Sequence, residues 1–277
     1  MDATDRSRDP ALSPPESGDA AAILRAFVSP ASFSLPLLSV RSTWTEHAPF
    51  AFWLVEALRP RVVVELGTHH GFSYFVFCQA VRQLRLDARC YAVDTWTGDE
   101  HAGFYGEDVF ERVRGHHDRH YSSFSALMRT TFNDAARHFD DGSIDLLHID
   151  GRHRYEDVKN DFETWRPRLS DRSIVLFHDT NVRRLDFGVH RLWDELRRDH
   201  PHFEFLHRAG LGVLGTGKRV SDAVRALFEA ARSDEAAAHI RYFYARLGAT
   251  ISAEYWAQAR AEELASLRQE LDALKRG

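Results

Sequence analysis

Four apolar runs along this chain each end in an acid. The first, RVVVELGTHHG over Arg61 to Gly71, carries Glu65 and then a loop with Gly67 and Gly71, just ahead of the amphipathic FSYFVFCQAV. RCYAVDTW ends its apolar run at Asp94, SIDLLHID at Asp150 and SIVLFHD at Asp179. Short apolar runs bounded by turn residues predict strands buried on both faces, and helical periodicity between them predicts a parallel sheet covered on both sides. Val158, Phe162, Trp165 and Leu169 recur at helical spacing, so Tyr155 to Leu169 is expected to be a helix with its aromatics in the core. In a doubly wound sheet the carboxyl ends of such strands form one rim, where ligands bind, and Glu65, Asp94, Asp150 and Asp179 are expected along it. Capping of a following helix is the competing role for a strand-end acid, and it explains one such residue more readily than four.

The flanks have a different texture. Residues 1–18 are polar and Pro-rich and are expected to be disordered; residues 19–60 are expected to hold helices at Ser17 to Val28 and Ser42 to Leu58. The strand and helix alternation predicts a central domain over 61–218, closed by a hairpin from FEFLHRAG and LGVLGTG at one edge of the sheet. Thr95 to Phe124 is too long for a plain connection and reads as an insertion over the site, with a partial helix at Asp108 to Arg114. Residues 219–277 predict helices, and Leu264, Leu267, Leu271 and Leu274 follow the 3-4-3 spacing of a coiled-coil seam. That seam reads as a dimer contact, as a boundary where a longer natural chain was cut, or as an amphipathic helix folding back on the domain.

Composition narrows the class. With 277 residues and 44% hydrophobic positions the chain can bury one large core. A formal charge of −5 and scattered Lys and Arg argue against nucleic acid as a partner. Cys78 and Cys90 alone offer no disulfide framework or thiolate metal spacing, so a reducing cytoplasm is the simplest compartment. No run has the length of a membrane span, so direct membrane insertion is not expected.

The chemistry starts at the first loop. Its spacing is GxxxG, without the GxGxxG of dinucleotide sites, and an acid inside the strand end suits a cofactor bearing an amino group better than a pyrophosphate. Asp94, 23 residues past Gly71, has the position of a carboxylate that accepts ribose hydroxyls. With IDLLHIDGRHRYEDVKNDFETW and IVLFHDT, these blocks resemble the class I S-adenosylmethionine-dependent methyltransferases over roughly Trp44 to Gly217. Within them the chain looks most like the bacterial family of sugar and macrolide O-methyltransferases and cephalosporin hydroxylase relatives.

The resemblance implies a Rossmann-like, mostly parallel seven-stranded sheet with an antiparallel edge hairpin and C-terminal helices. It implies S-adenosylmethionine held by Glu65, Gly67, Thr68, Gly71, Asp94, Thr95, Trp96, Asn133 and Asp150. Trp96 would lie against adenine, roof the pocket, or be plain core. The acceptor implied is a sugar hydroxyl on a small molecule or glycan, with small phenols open.

A hydroxyl must lose its proton to react, so a base or a cation is needed. Asp150 and Asp179 end strands that neighbour each other in this fold, about 4.8 Å apart, and their carboxylates could share magnesium or calcium. Thr180 or Asn181 would complete that site, or the two acids orient substrate without an ion. His153, three residues past Asp150, is the expected general base, with helix capping as its alternative role. His148 is expected in the core, and His69 and His70 to face solvent. Through the C-terminal helix the chain would meet a second copy or a fused or separate glycosyltransferase. Two rival functions stand beside this one: a nicotinamide oxidoreductase, and a non-catalytic scaffold that presents that helix to a glycan-assembly protein.

Overall fold

In a computed structural model, residues 25–184 and 186–275 are described. The expected disorder of residues 1–18 lies outside them, as does most of the expected first helix, of which 25–27 are helical. The second expected helix begins later than its apolar run: Thr45–His47 form a 3-10 turn, and α1 spans Ala48–Leu58 with Pro49 in its first turn. Proline lacks an N–H and is accepted only where that group has no helical partner, which fixes the start.

The strands β1 (Val62–Leu66), β2 (Arg89–Asp94), β5 (Ser125–Arg129), β6 (Ile144–Ile149), β7 (Leu169–His178), β8 (His202–Phe205) and β9 (Leu211–Gly215) form one seven-stranded sheet in the order β5-β2-β1-β6-β7-β9-β8. All pairs are parallel except β7 with β9 and β8 with β9. The order reverses beside β1, so the carboxyl ends of β2, β1, β6 and β7 lie next to one another. That is the rim expected from the four acids. The crossover helices are α2 (Phe72–Gln83), α4 (Phe132–Ala135), α5 (Tyr155–Trp165) and α6 (Val189–Leu196).

Apolar side chains cover both faces of the sheet. One cluster joins Val63, Ala92, Leu146 and Leu176 to α1 and α2, and the other joins Val64, Leu147 and Val175 to Phe162, Trp165 and Trp193. Alternate residues of each strand thus face opposite layers, as the pleat requires. The helix at 155 is shorter than its periodicity suggests: Arg166–Arg168 form a 3-10 turn, and Leu169 opens β7. Pro167 sits in that turn, where a further α-helical turn would need the N–H it lacks.

The insertion after β2 folds as a small hairpin, β3 (Gly98–Asp99) with β4 (Gly103–Phe104), then α3 (Glu107–His120), twice the expected length. Two further helices, α7 (Asp222–Ala230) and α8 (Asp234–Leu274), end the fold. The first half of α8 packs on the domain through Ile240, Tyr244 and Ile251, while Leu264, Leu267, Leu271 and Leu274 are exposed, so the helix does not fold back. No described helix is long and apolar enough to cross a membrane.

Candidate functional site

The ends of β6 and β7 carry a cluster of two acids and two imidazoles. Ile149 pairs with Phe177, so one residue further on Asp150 lies beside His178, the last residue of β7. Asp179 would point away if the strand continued. Its φ of +63° turns the chain there, a conformation aspartate tolerates better than most residues. His178 Nδ1 is then 3.1 Å from both Asp150 Oδ1 and Asp179 Oδ2. His153 Nε2 approaches Asp179 Oδ2 at 2.9 Å and Asp150 Oδ1 at 3.7 Å, with its ring stacked on Phe187.

Burial disfavours charge on all four groups, but their mutual attraction outweighs it. Asp150 is held down to about 2 against burial by His178 and His153, and Asp179 is held lower still. His153 is lifted to about 9, burial being overcome by hydrogen bonds to Asp150 and Asp179, and His178 is raised well above the ordinary imidazole range by the same acids. At neutral pH His153 is therefore an imidazolium. Two neighbouring carboxylates hold the imidazole proton more tightly than water does.

Asp150, His153 and Asp179 each offer a ligand atom within 4.8 Å of the others, the right reach for one divalent ion. Thr180 does not join them. Its hydroxyl is buried and points toward Gly210, where an added Cβ would lie 2.7 Å from it. Among the described residues it is His153 that offers the third ligand atom there. Two carboxylates and an imidazole fit a divalent cation, and the nitrogen favours manganese or zinc over magnesium and calcium, which prefer oxygen alone.

One strand away, the β1 loop is built against the same place. Gly67 has φ +88°, and a Cβ on it would fall 2.1 Å from the carbonyl oxygen of Asp150. Its glycine is thus required by the neighbouring strand end. Gly71, at φ +83°, starts α2 over the ring of Phe75. Asp94 shapes the loop: Oδ2 accepts the N–H groups of Thr68 and His69, each at 2.9 Å, and Oδ1 accepts that of Trp96 at 2.7 Å. Of about four lone-pair positions on a carboxylate, one remains for a ribose hydroxyl.

Trp96 is buried, not an open roof. Its indole N–H donates to the His69 carbonyl and its ring packs on Phe110. Tyr105 of the insertion stacks on His69 at 4.8 Å, so that loop histidine does not face open solvent. Thr95 is half-buried with its hydroxyl on Thr97, and the Thr68 hydroxyl is buried without a partner among the described residues.

Glu65 is fully buried. Its Oε2 takes a 2.8 Å hydrogen bond from His148 Nδ1, and His148 Nε2 accepts the indole N–H of Trp44 at 3.1 Å. An indole N–H only donates, so the Nδ1 of His148 carries the ring proton facing Glu65. Burial raises the Glu65 pKa despite His148, and its Oε1 has no partner among the described residues. A buried acceptor of this kind, beside the unpartnered Thr68 hydroxyl and the remaining lone pair of Asp94, suits a ligand bearing an ammonium group and hydroxyls.

Asn133 lies elsewhere. It falls in α4, where its Oδ1 accepts from Asn160 at 3.0 Å and faces Thr164 at 3.4 Å, so its side-chain oxygen is turned to α5. Sequence reasoning also missed three residues. His178 was legible only through the strand register that sets it beside Asp150. Trp44 reaches His148 across 104 positions, which no local pattern reports. His101, from the insertion, packs its ring 5.3 Å from His153 and contacts Asp186 at 2.7 Å. Only the Gly- and His-rich texture of that segment hinted at it.

The chain is similar to several known proteins. A curated relative, the uncharacterised protein y4gI of Sinorhizobium fredii, is 55% identical over 186 residues; the match covers 67% of this chain and 20% of that protein, so the chain spans about a fifth of its length. Among solved structures, the O-methyltransferase TomG of Streptomyces achromogenes, in complex with SAM and involved in tomaymycin synthesis, is 14% identical with a TM-score of 0.47, covering 72% of this chain and 90% of that one. The O-methyltransferase from Bacillus cereus in complex with SAH gives 14%, 0.47, 72% and 91%, and the SAH-bound methyltransferase PaMTH1 of Podospora anserina gives 13%, 0.48, 72% and 88%. Residues 64–180, from the middle of β1 to the turn after β7, match the family described as "Methyltransferase domain".

Proposed function

We propose that the protein transfers a methyl group from S-adenosylmethionine to a hydroxyl of a sugar or glycosylated acceptor, with a divalent cation at Asp150, His153 and Asp179. One observation carries the reading. Within the methyltransferase segment, the Gly67 turn rests on the Asp150 backbone, so the cofactor loop and the acid and histidine cluster share one stretch of rim. Glu65 would hold the amino group, the last lone pair of Asp94 a ribose hydroxyl, and the Gly67 to Gly71 loop the nucleoside.

The sulfonium of the cofactor is already electrophilic, so the protein's contribution is alignment and control of the acceptor proton. A bound cation supplies the charge that lowers the acceptor's pKa. To hold an ion, His153 would have to give up its proton, so affinity would rise with pH. Without an ion, the neutral fraction of His153 above about pH 9 is the base, and the Asp150 and Asp179 carboxylates keep the imidazole oriented. The choice of a sugar rests on family resemblance. Phenols enter as the alternative acceptor.

The test is incubation with methyl-labelled cofactor and a panel of nucleotide sugars, oligosaccharides and catechols, with manganese, magnesium or chelator. Label on a sugar oxygen, lost in Asp150→Asn, is the expected result. Label on none of the panel, together with no shift of melting temperature by S-adenosylhomocysteine, rejects the reading.

A further inference from the structure

We propose that the projecting half of α8 is a docking stripe for a second copy of this chain, joined in parallel and in register along Leu264, Leu267, Leu271 and Leu274. Up to Ser252 the helix belongs to the domain. Gly248 lies so close to Glu46 that a Cβ would sit 2.1 Å from its carbonyl oxygen. From Ala261 to Lys275 every residue is exposed, including the four leucines at 50–80%. Their 3-4-3 spacing sets them on one stripe, and Ala265, Ser266, Gln269, Asp272 and Ala273 on the remaining faces offer nothing apolar larger than alanine.

The flanking charges select the occupant. With Leu264 and Leu271 at a, and Leu267 and Leu274 at d, the g positions are Glu263 and Glu270 and the e positions are Arg268 and Lys275. In a parallel pair each g residue meets the e residue five places on in the other helix. Glu263 then meets the partner's Arg268, and Glu270 meets the partner's Lys275, twice each by symmetry. An antiparallel pair sets g against g and e against e, which places Glu against Glu and Arg against Lys. The stripe is therefore complementary to itself, and only in one orientation.

Two heptads are too short to associate as free peptides, because nucleating a helix is costly. Here that cost is already met by residues 234–252, which hold the helix on the domain, so pairing adds only the seam. The product is a two-fold dimer with both matched segments at the same end of the seam.

Sedimentation equilibrium on the full chain should give twice the 31.8 kDa protomer mass, falling toward the protomer on dilution. E263K/E270K makes all flanking charges positive and R268E/K275E makes them all negative. Each should be monomeric alone with an unchanged melting temperature, and equal amounts mixed should recover the dimer mass. Leu267→Cys should oxidise to a covalent dimer, since identical d positions face each other only in the parallel pair. A protomer mass at every soluble concentration, or dimers that survive both charge reversals, would overturn the proposal.

Discussion

Replacing Gly67 by alanine tests whether the cofactor loop and the acid cluster are one object. Alanine at φ +88° costs about 1 kcal/mol for the left-handed backbone alone. Its Cβ would also lie 2.1 Å from the Asp150 carbonyl oxygen, 2.6 Å from the carbonyl carbon and 2.9 Å from the Gly151 nitrogen. All three are backbone atoms, so relief requires parting β1 from β6, where Asp150 N–H donates to Leu66 at 2.8 Å. Overpacking of this kind adds roughly 2–3 kcal/mol, for a total of about 3–4 kcal/mol, or ~6–16 °C in melting temperature for a domain of this size.

Gly142 is the control. It has φ +69° with nothing within 4 Å of the added carbon, so Gly142→Ala should cost only the backbone term, about 1 kcal/mol. Scanning calorimetry measures both variants, and titration with S-adenosylhomocysteine gives cofactor affinity. A shift of about 1 Å at Asp150 should cost on the order of 100-fold in methyl transfer for Gly67→Ala and nothing for Gly142→Ala. Equal melting temperatures, or full affinity and rate in Gly67→Ala, would show that the close approach to Asp150 does no functional work.

Three further outcomes follow from the cluster and the core. Chelation should abolish turnover and manganese should restore it better than magnesium; His153→Ala should weaken the metal dependence while cofactor affinity in calorimetry stays within about twofold, and unchanged metal titrations would remove His153 from the ligand set. Trp44→Phe leaves His148 Nε2 buried without its donor and should cost about 1–3 kcal/mol in urea unfolding; a loss under about 0.5 kcal/mol would deny the relay any weight. Asp161, buried on α5, is pushed up to about 7 by burial, so its folded pKa exceeds the unfolded one. Stability from this group is then intact below about pH 4 and lost as pH rises through 7, at most about 1.4 kcal/mol per unit. Asp161→Asn should flatten that slope in melting temperature against pH, and a slope identical to wild type would place the titration elsewhere.

What the chain discloses by local pattern is the rim. The runs ending at Glu65, Asp94, Asp150 and Asp179 are strands because they are apolar, short and bounded by turns, and their order along one edge follows from doubly wound topology. Side-chain partners are another matter. Asp94 reads as a ribose ligand by position, yet three backbone N–H groups occupy it, since a loop amide 25 or 26 residues away competes for the same oxygens. The resemblance implies a cofactor role for Asn133, and its position does not tell that the Thr131 cap turns the chain into α4 and its side-chain oxygen toward α5. No local pattern marks His178. Register, which depends on how β6 and β7 align, makes it the residue between the two acids.

Trp44 lies 20 positions before the matched segment, yet its indole donates to Nε2 of the His148 ring whose other nitrogen, Nδ1, holds Glu65. Excising the matched segment at its border would leave that imidazole buried with Nε2 unpaired, beside the acid it holds. The smallest piece of this polypeptide that behaves as a unit is therefore set by a hydrogen bond and begins upstream of where the alignment does.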